Sequence, residues 1–358
     1  MNFKQALIDF KTEFDQKLDE FLNLKIEETK LYNPVMTQNL EYIGNGLRVG
    51  GKRFRPTMAY FGYKLIQPEV NPEIWNIGLA LELFHSFALI HDDIIDKSLV
   101  RRGHPTIEAI YQAQFLKTHP QIDNKHYAAS AAILGGDFAL VLANQLIANL
   151  ENSPKKIKME RLFYEMQFEL VAGQVDDCFG VGLSTLDDLD EARIINMLKT
   201  KSGNYSIQKP LLMGAQFAGA NQKQLDALKS SGEKLGLVFQ IKDDILGIFG
   251  NIDEIGKSNF SDILEGKRTL LMARAYKQVN ADQKAKFKTI LGNEQASLED
   301  ILWLKDCVAS SGVVLDLERY CLDLVLAAKM ELCDVFDQEN PALQFLLDLS
   351  DYLYQRTK

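Results

Sequence analysis

Apolar positions along this chain recur at helical intervals. From residue 2 to 31, Phe3, Leu7, Phe10, Phe14, Leu18, Phe21 and Leu22 stand one turn or so apart with charged residues between them, the pattern of an amphipathic helix. The same period predicts helices over 75–99, 127–149, 158–179, 188–203, 206–219, 222–249, 268–279 and 313–337. Proline, glycine and small polar residues predict breaks at Pro34, Pro68–Pro72, 118–126, Ser153-Pro154, Gly180–Thr185 and Gly292–Ser297. No stretch alternates convincingly with period two, and no linker, low-complexity tract or fixed repeat divides the chain. The expectation is an all-α protein, a single domain over 1–358, with long helices bundled around a central cavity.

Composition narrows the function. Apolar residues make up 46% and charged residues 25%, so a large core needs no staple. Forty Lys and Arg against 49 Asp and Glu leave a net charge of -9, which argues against a nucleic-acid partner. It leaves room for an anionic substrate held by a local basic cluster. Cys178, Cys307, Cys321 and Cys333 form no CxxC pair and have no zinc spacing, and are expected as thiols in a reducing compartment. The first thirty residues mix charges with no apolar leader core, and no unbroken apolar run reaches about 18 residues. A soluble, cytoplasmic protein without stable membrane insertion is expected.

The candidate chemistry sits in a few charged blocks within apolar surroundings. In Leu89-Ile90-His91-Asp92-Asp93-Ile94-Ile95-Asp96, Asp92 and Asp96 fall one turn apart on one helix face, and His85 lies seven residues before Asp92. Stacked carboxylates at the end of a buried helix repel each other, and a divalent cation relieves them. All-oxygen ligands completed by phosphate and water suit Mg²⁺. Arg101 and Arg102 follow within one loop, and guanidinium groups pair bidentately with phosphate oxygens. A second pair, Asp243-Asp244, interrupts another apolar helix one turn after Gln240. Beyond it lie Gly256-Lys257, Asp262 and Gly266-Lys267, whose lysines can reach phosphate as mobile point charges. Gly50-Gly51-Lys52-Arg53-Phe54-Arg55-Pro56 allows close approach of an anion flanked by Lys52 and Arg55, and Lys201-Ser202-Gly203 ends a predicted helix.

Together these blocks resemble the trans-isoprenyl diphosphate synthases, or polyprenyl synthetases, of the geranylgeranyl diphosphate synthase-like kind. Residues 50–56 match GGKRxRP, 92–96 match DDxxD, and 101–106 match RRGxPT. Residues 201–203 match KTG with Ser202 in the Thr place, 239–244 match FQxxDD, and 256–269 match GKxxxxDxxxGKxT, all in family order. The resemblance implies an all-α fold, usually a homodimer, that joins isopentenyl diphosphate to an allylic diphosphate (dimethylallyl, geranyl or farnesyl) with Mg²⁺ as cofactor. It implies Asp92 and Asp96 as ligands of Mg²⁺ on the allylic diphosphate, with Asp93 in a lesser role. Asp243, assisted by Asp244, would hold a further Mg²⁺. Arg101, Lys201, Gln240 and Lys257 would hold the allylic diphosphate or its ligands, and Lys52, Arg55, His85 and Arg102 the diphosphate of isopentenyl diphosphate. The family's second motif often carries a third Asp where this chain has Gly247, so one ligand or its support is missing there.

The chemistry so implied needs no protein nucleophile. The allylic diphosphate ionises, cations stabilise the departing diphosphate, the isopentenyl double bond attacks, and a proton is lost. Phe87 and Ala88, five and four residues before Asp92, are placed to limit the growing chain. An aromatic there, with no insertion in DDxxD, implies products near geranylgeranyl length. Farnesyl or longer products are the alternative. A class I terpene cyclase would not need Lys52, Arg55 and His85, and a silent partner subunit would have lost aspartates or basic loops.

Overall fold

The computed structural model describes residues 3–101, 103–151, 154–250 and 260–356. They are helical almost throughout, as expected. The main elements are α1 (Phe3–Thr29), α2 (Pro34–Arg48), α3 (Phe54–Lys64), α4 (Glu73–Ile95), α5 (Ile107–Thr118), α6 (Asn124–Ala148), α7 (Pro154–Val175), α8 (Glu191–Leu198), α9 (Lys209–Ala218) and α10 (Gln222–Phe249). There follow α11 (Ser261–Leu264), α12 (Leu270–Gln278), α13 (Ala281–Ile290), α14 (Leu298–Ser310), α15 (Val313–Cys333) and α16 (Pro341–Gln355). Two π-helical stretches, 176–181 and 199–208, extend α7 and α8. Strand structure among the described residues is one short antiparallel ribbon, β1 (Val100–Arg101) with β2 (His104–Pro105). Pro34 begins a helix: it occupies the first turn of α2, where its missing N–H costs nothing, behind Asn33, whose side chain accepts from Met36 N.

The chain divides into two compact units, residues 1–160 with Met213–Ala218, and Arg161–Leu212 with Gly219–Lys358. In the first, α1 buries the stripe Phe10, Phe14, Leu18 and Leu22, and Phe10 stacks on Phe14 and Trp75. Helix α4 is apolar nearly all round and correspondingly enclosed. It packs on α3 and α6. Both α4 and α6 are long and apolar enough to cross a membrane by length and composition. Yet α4 lies mostly inside its unit, with Glu82, His85 and Asp93 among its buried residues.

In the second unit α10 is the central helix, packed on α15 and on the 199–208 stretch. That second contact is backbone on backbone. A Cβ on Gly236 would stand 2.6 Å from Gly203 O, and one on Gly232 2.9 Å from the Cα of Gln208. The four cysteines are free thiols, two buried and two half-buried.

Candidate active site

The first carboxylate cluster closes the C-terminal end of α4. Asp96 is its C-cap residue, and Asp93 O accepts from Ser98 N at 2.8 Å, turning the chain out of the helix. Lys97 takes the left-handed conformation, and Gly103 makes the turn of the ribbon at φ 77°. Thr106 caps α5 through Ala109 N and donates its hydroxyl to Ser98 O, tying the ribbon back. Arg101 therefore folds onto α4. Its Nε donates to Asp93 Oδ1 at 2.6 Å and its Nη2 to Asp92 Oδ2 at 3.2 Å. Burial works to lower the Arg101 pKa, but the charges of Asp93 and Asp92 outweigh it, so the group is held even more firmly protonated. Asp93 is the buried member of the cluster; Asp92 and Asp96 are half-exposed. Phe87 packs against Phe84 and the ring of His91, 4.7 Å away. Ala88 is half-exposed and nearer in helical angle to Asp92.

The GGKRFRP block is built around Arg53. This residue is 2% exposed and left-handed at φ 48°. It donates to Asp15 Oδ1 at 2.6 Å, Glu82 Oε1 at 2.7 Å and Leu47 O at 2.6 Å. Burial alone would lower its pKa; Glu82 and Asp15 raise it. The Glu82 contact pins the start of α3 to α4 one turn before His85. Lys52 is exposed, whereas Arg55 and His85 are buried.

The second cluster lies on α10. Asp243 is exposed and its Oδ1 accepts from Arg356 Nη2 at 3.1 Å; that guanidinium also lies over the Phe239 ring at 5.0 Å. Asp244 is 8% exposed. Its Oδ1 accepts from Gln240 Nε2 at 3.2 Å, and its Oδ2 has no hydrogen-bond partner among the described residues. Burial pushes its carboxyl well above the ordinary range, and the charges of Asp262 and Asp243 push it the same way. Lys267 Nζ donates to Asp262 Oδ1 at 2.8 Å and approaches Glu265 at 3.2 Å. The turn before it needs Gly266 (φ 72°), whose backbone also meets that of Gly292. Thr269 then caps α12.

Lys201 stands in the 199–208 stretch, and its Nζ meets Asp177 Oδ2 at 2.5 Å. A Cβ on Gly173 would lie 2.3 Å from Lys201 N. The lysine is thus placed by two backbone crossings, at Gly173 and at Gly203 against Gly236. Arg102 and Lys257, the two remaining expected phosphate ligands, lie outside the described residues.

The polyprenyl synthetase family model matches residues 33–308, most of the chain and every block above. The chain belongs to the polyprenyl synthetase family. It is 31% identical over 288 residues to a short chain isoprenyl diphosphate synthase of Methanocaldococcus jannaschii, covering 80% of this chain and 79% of that one. It is 32% identical over 263 residues to a geranylgeranyl diphosphate synthase of Sulfolobus acidocaldarius, covering 72% and 73%. A crystal structure of geranylgeranyl pyrophosphate synthase from Corynebacterium glutamicum, complexed with isoprenyl diphosphate and magnesium, superposes with a TM-score of 0.88 at 28% identity over 96% of this chain and 99% of that one. The trans-isoprenyl diphosphate synthase resemblance and the all-α fold are borne out, and the protein is a prenyl-transferring enzyme.

Among the described residues of this polyprenyl synthetase, no three acidic, His or Cys side chains gather closely enough to cage a metal unaided. Magnesium needs no such cage, since it keeps waters and takes one or two carboxylates together with substrate phosphate. The donors fit it: all are carboxylate oxygens, and Asp244 presents a buried oxygen with no hydrogen bond among the described residues. Arg53, His91 and Asp177 were not distinguishable as important in the sequence. Arg53 reads as one more cation in a basic run. His91 lies beside the aspartates, yet its ring inserts over Gly136, where a Cβ would approach within 2.3 Å, and meets Ile133 O at 3.1 Å.

Proposed function

We propose that this polyprenyl synthetase condenses isopentenyl diphosphate with an allylic diphosphate to make geranylgeranyl diphosphate, with Mg²⁺. The observation that carries the reading is the pair of aspartate clusters, each in an apolar helix and each met by cations from neighbouring loops. Bound Mg²⁺ would supply charge to stabilise the departing diphosphate. Asp92 and Asp96, and separately Asp243 with Asp244, would hold it. Arg101 and Lys201, with Lys257 and Lys267, bind the allylic diphosphate, and Gln240 orients Asp244. Lys52, Arg55, His85 and Arg102 bind the diphosphate of isopentenyl diphosphate. The allylic C–O bond breaks, and the electron pair of the isopentenyl double bond forms the new C–C bond. A proton then leaves for an oxygen of the released diphosphate.

Geranylgeranyl length is supported by Phe87 above the aspartates and by the similarity to geranylgeranyl synthases. The family model runs unbroken across both units, which supports their working as one isoprenoid synthase domain. A homodimer is supported by exposed apolar stripes, Tyr164, Phe168, Val171 and Val175 on α7 and Tyr127, Leu134 and Val141 on α6. The free thiols suit the cytoplasm. The decisive experiment incubates the enzyme with isopentenyl diphosphate, each allylic primer and Mg²⁺, followed by chain-length analysis. Geranylgeranyl diphosphate that disappears on chelation is expected. Diphosphate release without condensation would overturn the reading.

A further inference from the structure

The stretch that carries Lys201 is wound as a π-helix for ten residues, Lys199–Gln208. A π turn is uncommon and rarely continues, so a run of this length needs support from its surroundings. Its last hydrogen bond joins Lys209 N to Asn204 O, five residues back. The same two residues are gripped by Glu169 of α7. Glu169 Oε2 accepts from Asn204 Nδ2 at 2.9 Å, and its Oε1 meets Lys209 Nζ at 2.8 Å. Lys209 is 6% exposed, and Glu165, one turn back on α7, approaches it at 3.5 Å. The winding is what lets one carboxylate hold both side chains. In an α-helix, at about 100° per residue, positions five apart point about 140° away from each other. The π hydrogen bond brings them onto one face.

We propose that Glu169 is a positioning residue for Lys201, fixing the π register of residues 199–208 through Asn204 and buried Lys209. The proposal rests on reading Lys201 as a ligand of the allylic diphosphate. The backbone crossings at Gly173 and Gly203 are steric contacts, which resist closer approach without pulling two segments together. The pull comes from a polar ladder that runs antiparallel along α7. Lys201 meets Asp177, Asn204 meets Glu169, and Lys209 meets Glu169 and Glu165. Without the grip at 204 and 209 the stretch is free to rewind as an α-helix. Rewinding turns residue 201 relative to its anchor at 209 and carries the Lys201 amine off its line with Asp177.

The test is steady-state kinetics on the full-length enzyme, with each substrate varied in turn. Removing Glu169 alone would strand Lys209 in the interior. The main variant therefore removes both charges, Glu169→Leu with Lys209→Met, a replacement that buried ion pairs commonly tolerate. It should raise KM for the allylic diphosphate about tenfold or more, on the scale that misplacing a binding group costs, and leave KM for isopentenyl diphosphate as it was. On a Lys201→Ala background the same two substitutions should raise the allylic KM no further, because they act through that lysine. An equal rise with and without Lys201 would make the ladder a matter of packing and overturn the proposal. So would an unchanged allylic KM in the double variant where Lys201→Ala raises it, and the reading of Lys201 would then stand. If Lys201→Ala itself left the allylic KM unchanged, that reading and the proposal would fall together. Asn204→Ala keeps the ion pair and removes one arm of the grip, so it serves where the double variant does not fold. It should raise the same KM by less, and no rise there would equally overturn the proposal.

Discussion

At the end of α4, buried Asp93 takes a 2.6 Å hydrogen bond from Arg101, which also reaches Asp92. On α10, Asp244 is buried to a similar degree, but the charges nearest it include two more carboxylates, and its only described hydrogen bond comes from the neutral amide of Gln240. Both pairs follow one plan, with the second aspartate inside and the first turned outward. They differ in whether the inner charge is answered. The first cluster is balanced by its own chain and presents Asp92 and Asp96 on a rigid base. On the second, the inner carboxylate is hydrogen-bonded by no lysine or arginine among the described residues. A string of two aspartates in an apolar helix therefore does not define one kind of site; the partner loops decide.

The strongest way to break this comparison is to remove the outer aspartates. Asp92→Ala and Asp243→Ala should each lower kcat by about 10²–10³-fold, the scale of losing one preorganised electrostatic contact at developing charge. Steady-state kinetics on purified variants would check it, and normal turnover in either would remove that aspartate from the site. The arginines should then separate the clusters by stability. Arg101→Ala removes the cation that meets buried Asp93 and should cost about 3–5 kcal/mol, read by urea unfolding. Arg356→Ala breaks a pair whose aspartate is exposed and also loses the contact with the Phe239 ring, and should cost less, about 1–2 kcal/mol. Equal costs would show that the clusters are not balanced differently.

Smaller effects sharpen the assignment of the basic residues. Lys201→Ala should raise KM for the allylic substrate, and Lys52→Ala KM for isopentenyl diphosphate, each by about tenfold or more, for roughly 1.5–3 kcal/mol per charged contact. A Lys52→Ala enzyme impaired only toward the allylic substrate would reverse the assignment. The mildest change concerns product length. Phe87→Ala should lengthen the product and Ala88→Phe shorten it, read by chromatography at matched conversion. An unchanged distribution from active Phe87→Ala would assign that ring to packing against Phe84 and His91.

The long helices were legible because their apolar stripes repeat over many turns, as in α1, α10 and α15. Helix α3 was not, because nearly all of its residues are buried and no polar face marks the period. Helix α5 has one buried residue, Tyr111, and so no stripe to read. Helix α16 does carry a plain stripe, Leu343, Leu346, Leu349 and Leu353, beyond the matched motifs. At the site, residue types and spacing disclosed the aspartates and basic loops. They could not disclose that Arg53 is a buried anchor or that Asp262 lies over Gly247. Those facts depend on contacts between residues 15 to 38 positions apart, set only once helices pack.

The glycine crossing behind Lys201 bears on how such an enzyme can change. Where two backbones touch, no rotamer can yield, so the stem of this lysine is fixed by main-chain geometry. Even one methyl at Gly236 would act as a wedge and shift the amine together with everything it grips. New substrate preferences should therefore arise by editing the tip of the side chain at 201, or the lining residues around it, while the stem stays as it is.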